Sequence, residues 1–150
     1  MKQQREIRPY AHRAQYYETD QMGFVHHSNY IRWFEEARCD FMEQMGMGYE
    51  EMEKAGILSP VLSVQCQYKA SVYFRDVVEI RLRIKDYNGI KLTIGYTITD
   101  QATGELRTTG ETRHCFVDRQ GKLLSLKRVN EAFHQMFVQA AGWEQEEEGQ

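Results

Sequence analysis

Proline is scarce: Pro9 and Pro60 are the only two in 150 residues. Long stretches are therefore free of the residue that breaks helices and interior strands. Cysteine is sparse as well, with Cys39, Cys66 and Cys115 far apart and odd in number. Such spacing makes neither a disulfide framework nor a metal knuckle, and it points to a reducing, cytoplasmic setting. No apolar run exceeds three residues, whereas a membrane span needs ~20. Charge of one sign is lacking too: 19 Lys+Arg against 22 Asp+Glu leave −3. That excludes the clustered basic excess of a nucleic-acid binder. Met1 to Tyr10 has no apolar core of a secretory signal. Aromatics are plentiful, with 9 Tyr, 7 Phe and 2 Trp, enough to fill the core of one domain spanning residues 1–150. The ends, about 1–5 and the acidic 144–150, are expected to be flexible.

The clearest pattern runs from Val61 to Phe74. Leu62, Val64, Cys66, Tyr68, Ala70, Val72 and Phe74 alternate with mostly polar residues. Period two predicts a long strand with one face on a core. Arg75-Asp76 offers a turn. Val78, Ile80, Leu82 and Ile84 predict a second strand, and Leu92, Ile94, Tyr96 and Ile98 a third. Between them lies Asn88-Gly89, which tolerates positive φ at both positions and predicts a type I′ hairpin. A turn at Asp100–Gly104 leads into a β-rich stretch from Leu106 to Val117, closed by the turn Asp118–Gly121. Short connections predict an antiparallel meander.

The first third differs. Ile7 to Tyr17 is expected to hold a strand. From Asn29 to Met45 the apolar spacing turns helical, with Tyr30, Phe34, Ala37, Phe41 and Met45 on one face and Trp33 widening it. Tyr49 to Ala55 adds a helical turn, and Lys127 to Ala141 a last helix. A helix with so wide an apolar face needs a sheet to cover it. The expected fold is α+β: one antiparallel sheet curled around a long central helix, the hotdog architecture.

Between the first strand and the long helix lies Tyr16-Tyr17-Glu18-Thr19-Asp20-Gln21-Met22-Gly23-Phe24-Val25-His26-His27-Ser28-Asn29-Tyr30. It is the densest polar cluster outside ordinary turns. Gly23 lets the chain turn tightly. His26 to Asn29 fall where the helix begins, and a helix start presents unpaired N–H groups with partial positive charge. Those groups suit an oxyanion developing on an ester or thioester carbonyl. A carboxylate, Asp20, facing them would make a hydrolytic pair. The bland reading of the same residues is an Asx-turn at Asp20 and a polar helix entry at the histidines. Metal binding by His26 and His27 is disfavoured, because neighbouring side chains point apart.

The pattern Tyr16-x-x-x-Asp20-x-x-Gly23-x-x-x-His27-x-x-Tyr30, followed by Trp33-Phe34-Glu35-Glu36-Ala37-Arg38, resembles the 4-hydroxybenzoyl-CoA thioesterase family. Within that family it is most similar to the YbgC-like acyl-CoA thioesterases. The resemblance implies a hotdog fold over roughly residues 5–140 and hydrolysis of acyl-CoA to a carboxylic acid and CoA. It implies no metal or redox cofactor, coenzyme A entering only as part of the substrate. Asp20 matches the catalytic aspartate, acting as general base or nucleophile. His27 matches the residue whose backbone N–H polarises the carbonyl, and Tyr16 a tyrosine that supports the aspartate. The active site would lie between subunits of a homodimer, often paired into a homotetramer.

Gly23, Phe24, Tyr30 and Trp33 are candidates for the substrate pocket, with Met22 and Tyr68 beside them. Lys91, at the middle hairpin, is the candidate for the CoA phosphates, with Lys69, Arg75, Lys127 and Arg128 as substitutes. Glu36 on the long helix is a second candidate carboxylate, its plain reading a salt-bridging helix residue. Ser28 and Asn29 are expected to cap the helix. Cys66, Cys115 and His114 read as core residues. Two alternatives stand beside the leading reading: an acyl-carrier-protein thioesterase, and a non-catalytic acyl-CoA-binding module.

Overall fold

The computed structural model describes residues 7–142, so the expected flexible ends, 1–5 and 144–150, lie outside the described residues. Five strands, β1 (Tyr10–Arg13), β2 (Val61–Tyr68), β3 (Val77–Tyr87), β4 (Lys91–Asp100) and β5 (Leu106–Cys115), form one antiparallel sheet in the order β1-β3-β4-β5-β2. Four helices accompany it: α1 (Ser28–Gln44), α2 (Tyr49–Lys54), α3 (Leu126–Val129) and α4 (Glu131–Ala141). The wrapped-helix architecture expected from the periodicity is the one found, but the expected four-strand meander is corrected: only β3, β4 and β5 follow one another, while β2 pairs with β5 at the far edge and β1 takes the place beside β3.

The register explains which residues meet α1. Ile80 stands opposite Ile98, Leu82 opposite Tyr96 and Ile84 opposite Ile94, and Tyr96 in turn faces Gly110. These residues line one face of the sheet, and Trp33, Phe34, Ala37 and Phe41 of α1 close over it. Phe34 stacks on Tyr96 with ring centroids 4.3 Å apart. It lies so close to β5 that a Cβ at position 110 would sit 2.3 Å from its ring. Glycine there is a packing requirement for the central helix. The opposite face carries Glu79, Arg81, Lys85 and Glu111, with Lys85 Nζ bonded to Glu111 at 2.8 Å.

Four local expectations are corrected. The first strand is shorter than Ile7–Tyr17: after Ala14, whose N–H donates to Asp76, the chain turns into a 3-10 turn at Tyr16–Glu18. The strand expected over Val61–Phe74 stops at Tyr68, because the N–H groups of Lys69 and Ala70 both donate to the Arg107 carbonyl and end the ladder. Asn88-Gly89 is not a type I′ turn, since only Gly89 has positive φ. Asn88 instead accepts the N–H groups of Ile90 and Lys91 on its side chain, at 2.9 and 2.8 Å. The final helix is broken at Asn130, which leaves helical geometry and caps α4 by accepting from Phe133.

Strand β2 departs from its pattern in a more consequential way. Its alternation predicts a buried face, yet Val61, Val64 and Tyr68 are exposed and Leu62 is 54% exposed. The sheet is wider than the helix that covers it. Beside it, the turn Tyr73–Asp76 carries Arg75 at φ +75, a left-handed conformation costing an L-residue roughly 1–2 kcal/mol. Arg107 supports this turn from beneath. Its guanidinium donates to the Ser71 carbonyl at 2.6 Å and bonds Asp76 and Asp100 at 3.1 and 2.9 Å.

A polar thread crosses the core. Arg38 donates to Tyr49 Oη and Tyr96 Oη, Tyr96 bonds Thr112 at 2.6 Å, and Thr112 bonds His114 Nε2 at 2.8 Å. A guanidinium can only donate, so a consistent chain runs outward from Arg38 and ends with Thr112 donating to the imidazole. His114 is fully buried, as expected, and burial together with the Arg38 charge pushes its pKa down to about 4. The unfolded chain binds this proton near its ordinary value of ~6.5, the folded one only near 4. Stability is therefore complete above the higher value and falls as pH drops between the two, by on the order of 3 kcal/mol from this group. An NMR titration of the imidazole resonances is expected to find His114 neutral down to about pH 4, and urea unfolding to weaken across the same interval. A His114 that titrates near 6.5 would contradict this.

Candidate functional site

The loop between β1 and α1 is built around one buried carboxylate. Glu18 accepts from Trp33 Nε1 at 2.8 Å and from the Gln15 N–H at 2.8 Å, and meets His12 Nε2 at 2.9 Å. Its backbone carbonyl receives the His26 N–H at 2.8 Å and Asn29 Nδ2 at 2.9 Å. Burial alone would raise its pKa, but the bonds from His12, Gln15 and Trp33 outweigh that and hold it below the usual carboxylate range. The His12 ring packs on Trp33, and its other nitrogen lies 3.6 Å from Glu36, which also accepts from Tyr10 Oη at 2.6 Å. Glu36 thus has His12 and Tyr10 as its partners, in place of the helix arginines Arg32 or Arg38 that its plain reading pairs it with. Reasoning from sequence missed Glu18 as the organiser. Its partner on α1, Trp33, lies 15 residues away in the chain, and its one local signal is its place three residues after Gln15, where it receives that residue's N–H.

Around this anchor the predicted residues fall as follows. Asp20 is exposed, with Oδ1 accepting the Met22 N–H at 2.8 Å and its own N–H donating to Phe24. Gly23 has φ +84, which closes the loop, and Phe24 lies edge-on to Tyr73. His27 ends the loop as the residue just before α1, exposed, stacked on His26, with no side chain capping the helix start. Ser28 N–H donates to His26 Nδ1, and the Asn29 and Tyr30 N–H groups to the carbonyls of His26 and His27. No described residue accepts from the His27 N–H, which remains an open donor at the positive end of a 17-residue helix. The expected caps are corrected here. Asn29 is buried and donates back to Glu18, and Ser28 pairs with His26.

Tyr16 is 76% exposed and packs edge-on against Phe74, while its carbonyl, not its hydroxyl, serves the loop by accepting from Thr19. Tyr30 is buried and contacts Trp33 and Tyr68. Trp33 is wholly buried, so in the single protomer it is core. Tyr68 reaches the helix start, its ring against His27 and its hydroxyl 3.4 Å from the His27 carbonyl; burial and Cys66 push its pKa up to about 12. Lys91 is not gathered into this group. It begins β4, whose other end, Asp100, borders the loop side, so the strand holds it ~30 Å away within one protomer. Among the described residues no group of three His, Cys, Asp or Glu side chains is placed to hold a metal ion. No described helix is long and apolar enough to cross a membrane.

Comparison with known proteins fits this geometry. The pattern of the Thioesterase-like superfamily matches residues 15–144. A Bacillus subtilis relative, named "Putative acyl-CoA thioesterase YneP", is 35% identical over 128 residues, 85% of this chain and 92% of its own. A solved DHNA-CoA thioesterase from Staphylococcus aureus superposes with a TM-score of 0.82 at 34% identity, covering 86% of this chain and 87% of that one. A 1,4-dihydroxy-2-naphthoyl-CoA thioesterase from Synechocystis, at 15% identity, shares the fold with a TM-score of 0.78 over 87% of this chain and 95% of its own.

Replacing Glu18 with Gln removes the charge that His12, Gln15 and Trp33 jointly hold. The variant is expected to lose about 1–3 kcal/mol in denaturant unfolding at neutral pH. The native carboxyl is held low, so its stabilisation is present above the unfolded carboxyl's value and lost as pH falls through the folded one. The gap between parent and Glu18→Gln should therefore shrink on acidification; a constant gap would mean the carboxylate's charge is not what matters.

Proposed function

The chain belongs to the thioesterase-like superfamily and is a thioester hydrolase, and on that footing we propose that it cleaves acyl-CoA to a carboxylic acid and CoA, with Asp20 as general base or nucleophile and the His27 amide as carbonyl polariser. The observation that carries this reading is the open N–H of His27 at the end of the short loop that carries the exposed Asp20 carboxylate. As general base, Asp20 takes a proton from water while the hydroxide attacks the thioester carbon. Charge then develops on the carbonyl oxygen, which the His27 N–H and the helix dipole stabilise. Collapse of the tetrahedral intermediate expels the CoA thiolate. As nucleophile, Asp20 itself attacks, and water hydrolyses the resulting mixed anhydride. The finer kinship with YbgC-like 4-hydroxybenzoyl-CoA thioesterases rests on the Tyr16-to-Arg38 signature. Tyr16, Gly23, Phe24 and Tyr30 surround the loop in this reading, and Trp33 backs it from the core.

The site is completed by a second copy of the chain. Asp20 and His27 are open to solvent in one protomer, and the uncovered apolar side of β2 reaches His27 through Tyr68. An edge strand with Val61, Leu62 and Val64 exposed is a template for pairing. A homodimer joined there would bury that side and bring each loop near its partner.

Thiol release from a panel of acyl-CoAs tests the chemistry. Asp20→Asn and Asp20→Ala are expected to lower kcat at least ~100-fold. Hydrolysis untouched by either change removes Asp20 from its role, and a parent protein that hydrolyses no member of the panel favours the binding module. Val64→Asp places a charge on the exposed edge and is expected to convert a dimer to monomer in sedimentation velocity, with loss of activity. A dimer that survives the change places the interface elsewhere.

A further inference from the structure

Arg75 occupies a backbone conformation that favours glycine, at φ +75, on an exposed turn at the same end of the sheet as Asp20. A glycine there would be free of the strain, so the position retains a cation against a local preference. The guanidinium lies over Phe74, 5.0 Å from its ring centroid, and Phe74 in turn meets Tyr16 of the loop at 5.6 Å. No carboxylate among the described residues pairs with it; the adjacent Asp76 is engaged by Arg107 and by the Tyr73 N–H. The turn is rigidly held. Arg75 N–H donates to Ala14, Asp76 N–H to Tyr73, and Arg107 clamps the turn to the end of β4. An unpaired guanidinium, steered by an aromatic face and fixed on a braced turn, is a prepared receptor for a phosphate.

We propose that Arg75 binds the phosphates of coenzyme A when an acyl-CoA substrate occupies the Asp20 loop. This rests on the acyl-CoA reading above and gives the nucleotide end of the substrate a place on this chain. Arg75 connects to the Asp20 loop through Phe74, whose ring meets Tyr16 at 5.6 Å, so the thioester and the phosphates of one substrate would find partners on neighbouring segments. Lys91, at the far end of β4, is not needed for that contact within the protomer.

Steady-state kinetics with an acyl-CoA and the matching acyl-pantetheine, which lacks the nucleotide, tests the assignment on the full chain. Arg75→Gly removes the cation and the strain together. It is expected to raise KM for acyl-CoA about five- to tenfold, the scale of one exposed charge-assisted contact, with kcat unchanged. Both constants for acyl-pantetheine should stay at the parent's values, and Tm should match or exceed the parent's. Arg75→Lys keeps the charge but not the planar fork that stacks on Phe74, and is expected to raise KM for acyl-CoA by less than Arg75→Gly does. An unchanged KM for acyl-CoA in Arg75→Gly, or an equal rise for both substrates, overturns the proposal. Calorimetric titration with free CoA separates the two levels of inference. A parent that neither hydrolyses acyl-CoA nor binds CoA sinks the substrate reading, whereas a parent that does both while Arg75→Gly binds CoA equally well sinks only the role of Arg75.

Discussion

The carboxylate of Glu18 is the fixed point of the molecule. It joins β1 through His12, the loop through Gln15 and the central helix through Trp33, while its carbonyl holds His26 and Asn29. Five groups from three segments of chain converge on one residue. A buried charge survives only where bonds replace the water it lost, and here they more than replace it. The consequence is positional. The backbone on either side of Asp20 and the start of α1 cannot move independently, so an exposed carboxylate and an open amide are held in a constant relation although neither is itself buried.

That division of labour accounts for the character of the loop. Asp20 and His27 are exposed, which the proposed chemistry requires, and their placement is inherited from neighbours that are not. Trp33 illustrates the arrangement. Its indole N–H is spent on Glu18 and its ring supports His12 and Tyr30, so it acts on the site from the core side. On the other flank, Arg107 does the same for the turn at Tyr73–Asp76, whose Tyr73 packs on Phe24 of the loop.

Much of the fold was legible because it rests on periodicity. The alternation in β3 and β4 and the helical spacing of Tyr30, Phe34, Ala37 and Phe41 report directly which face is buried, and the structure buries those faces. What escaped was decided by particular side chains acting at a distance. Nothing local in Lys69-Ala70 says that the Arg107 carbonyl will collect both amides and end β2. Asn88 could have adopted positive φ but uses its side chain to close the hairpin instead. The apolar alternation of β2 was read correctly as a pattern, yet one chain offers nothing to cover it. For the candidate site, the free N–H at His27 lies where the helix start predicted one; Glu18 was hidden because a partner 15 residues on gives no sequence signal.

The strand order β1-β3-β4-β5-β2 also shapes how the chain assembles. The three inner strands follow one another through tight connections and can zip together as neighbours, whereas the outer strands β1 and β2 precede all three in the chain and lie at opposite edges of the sheet. On the ribosome the central helix emerges after β1, whose His12 packs on Trp33, but before β4 and β5, which shelter Phe34. Much of its oily side must wait, uncovered, for nearly half the polypeptide to be made, so the helix that follows the Asp20 loop is open to premature association during synthesis.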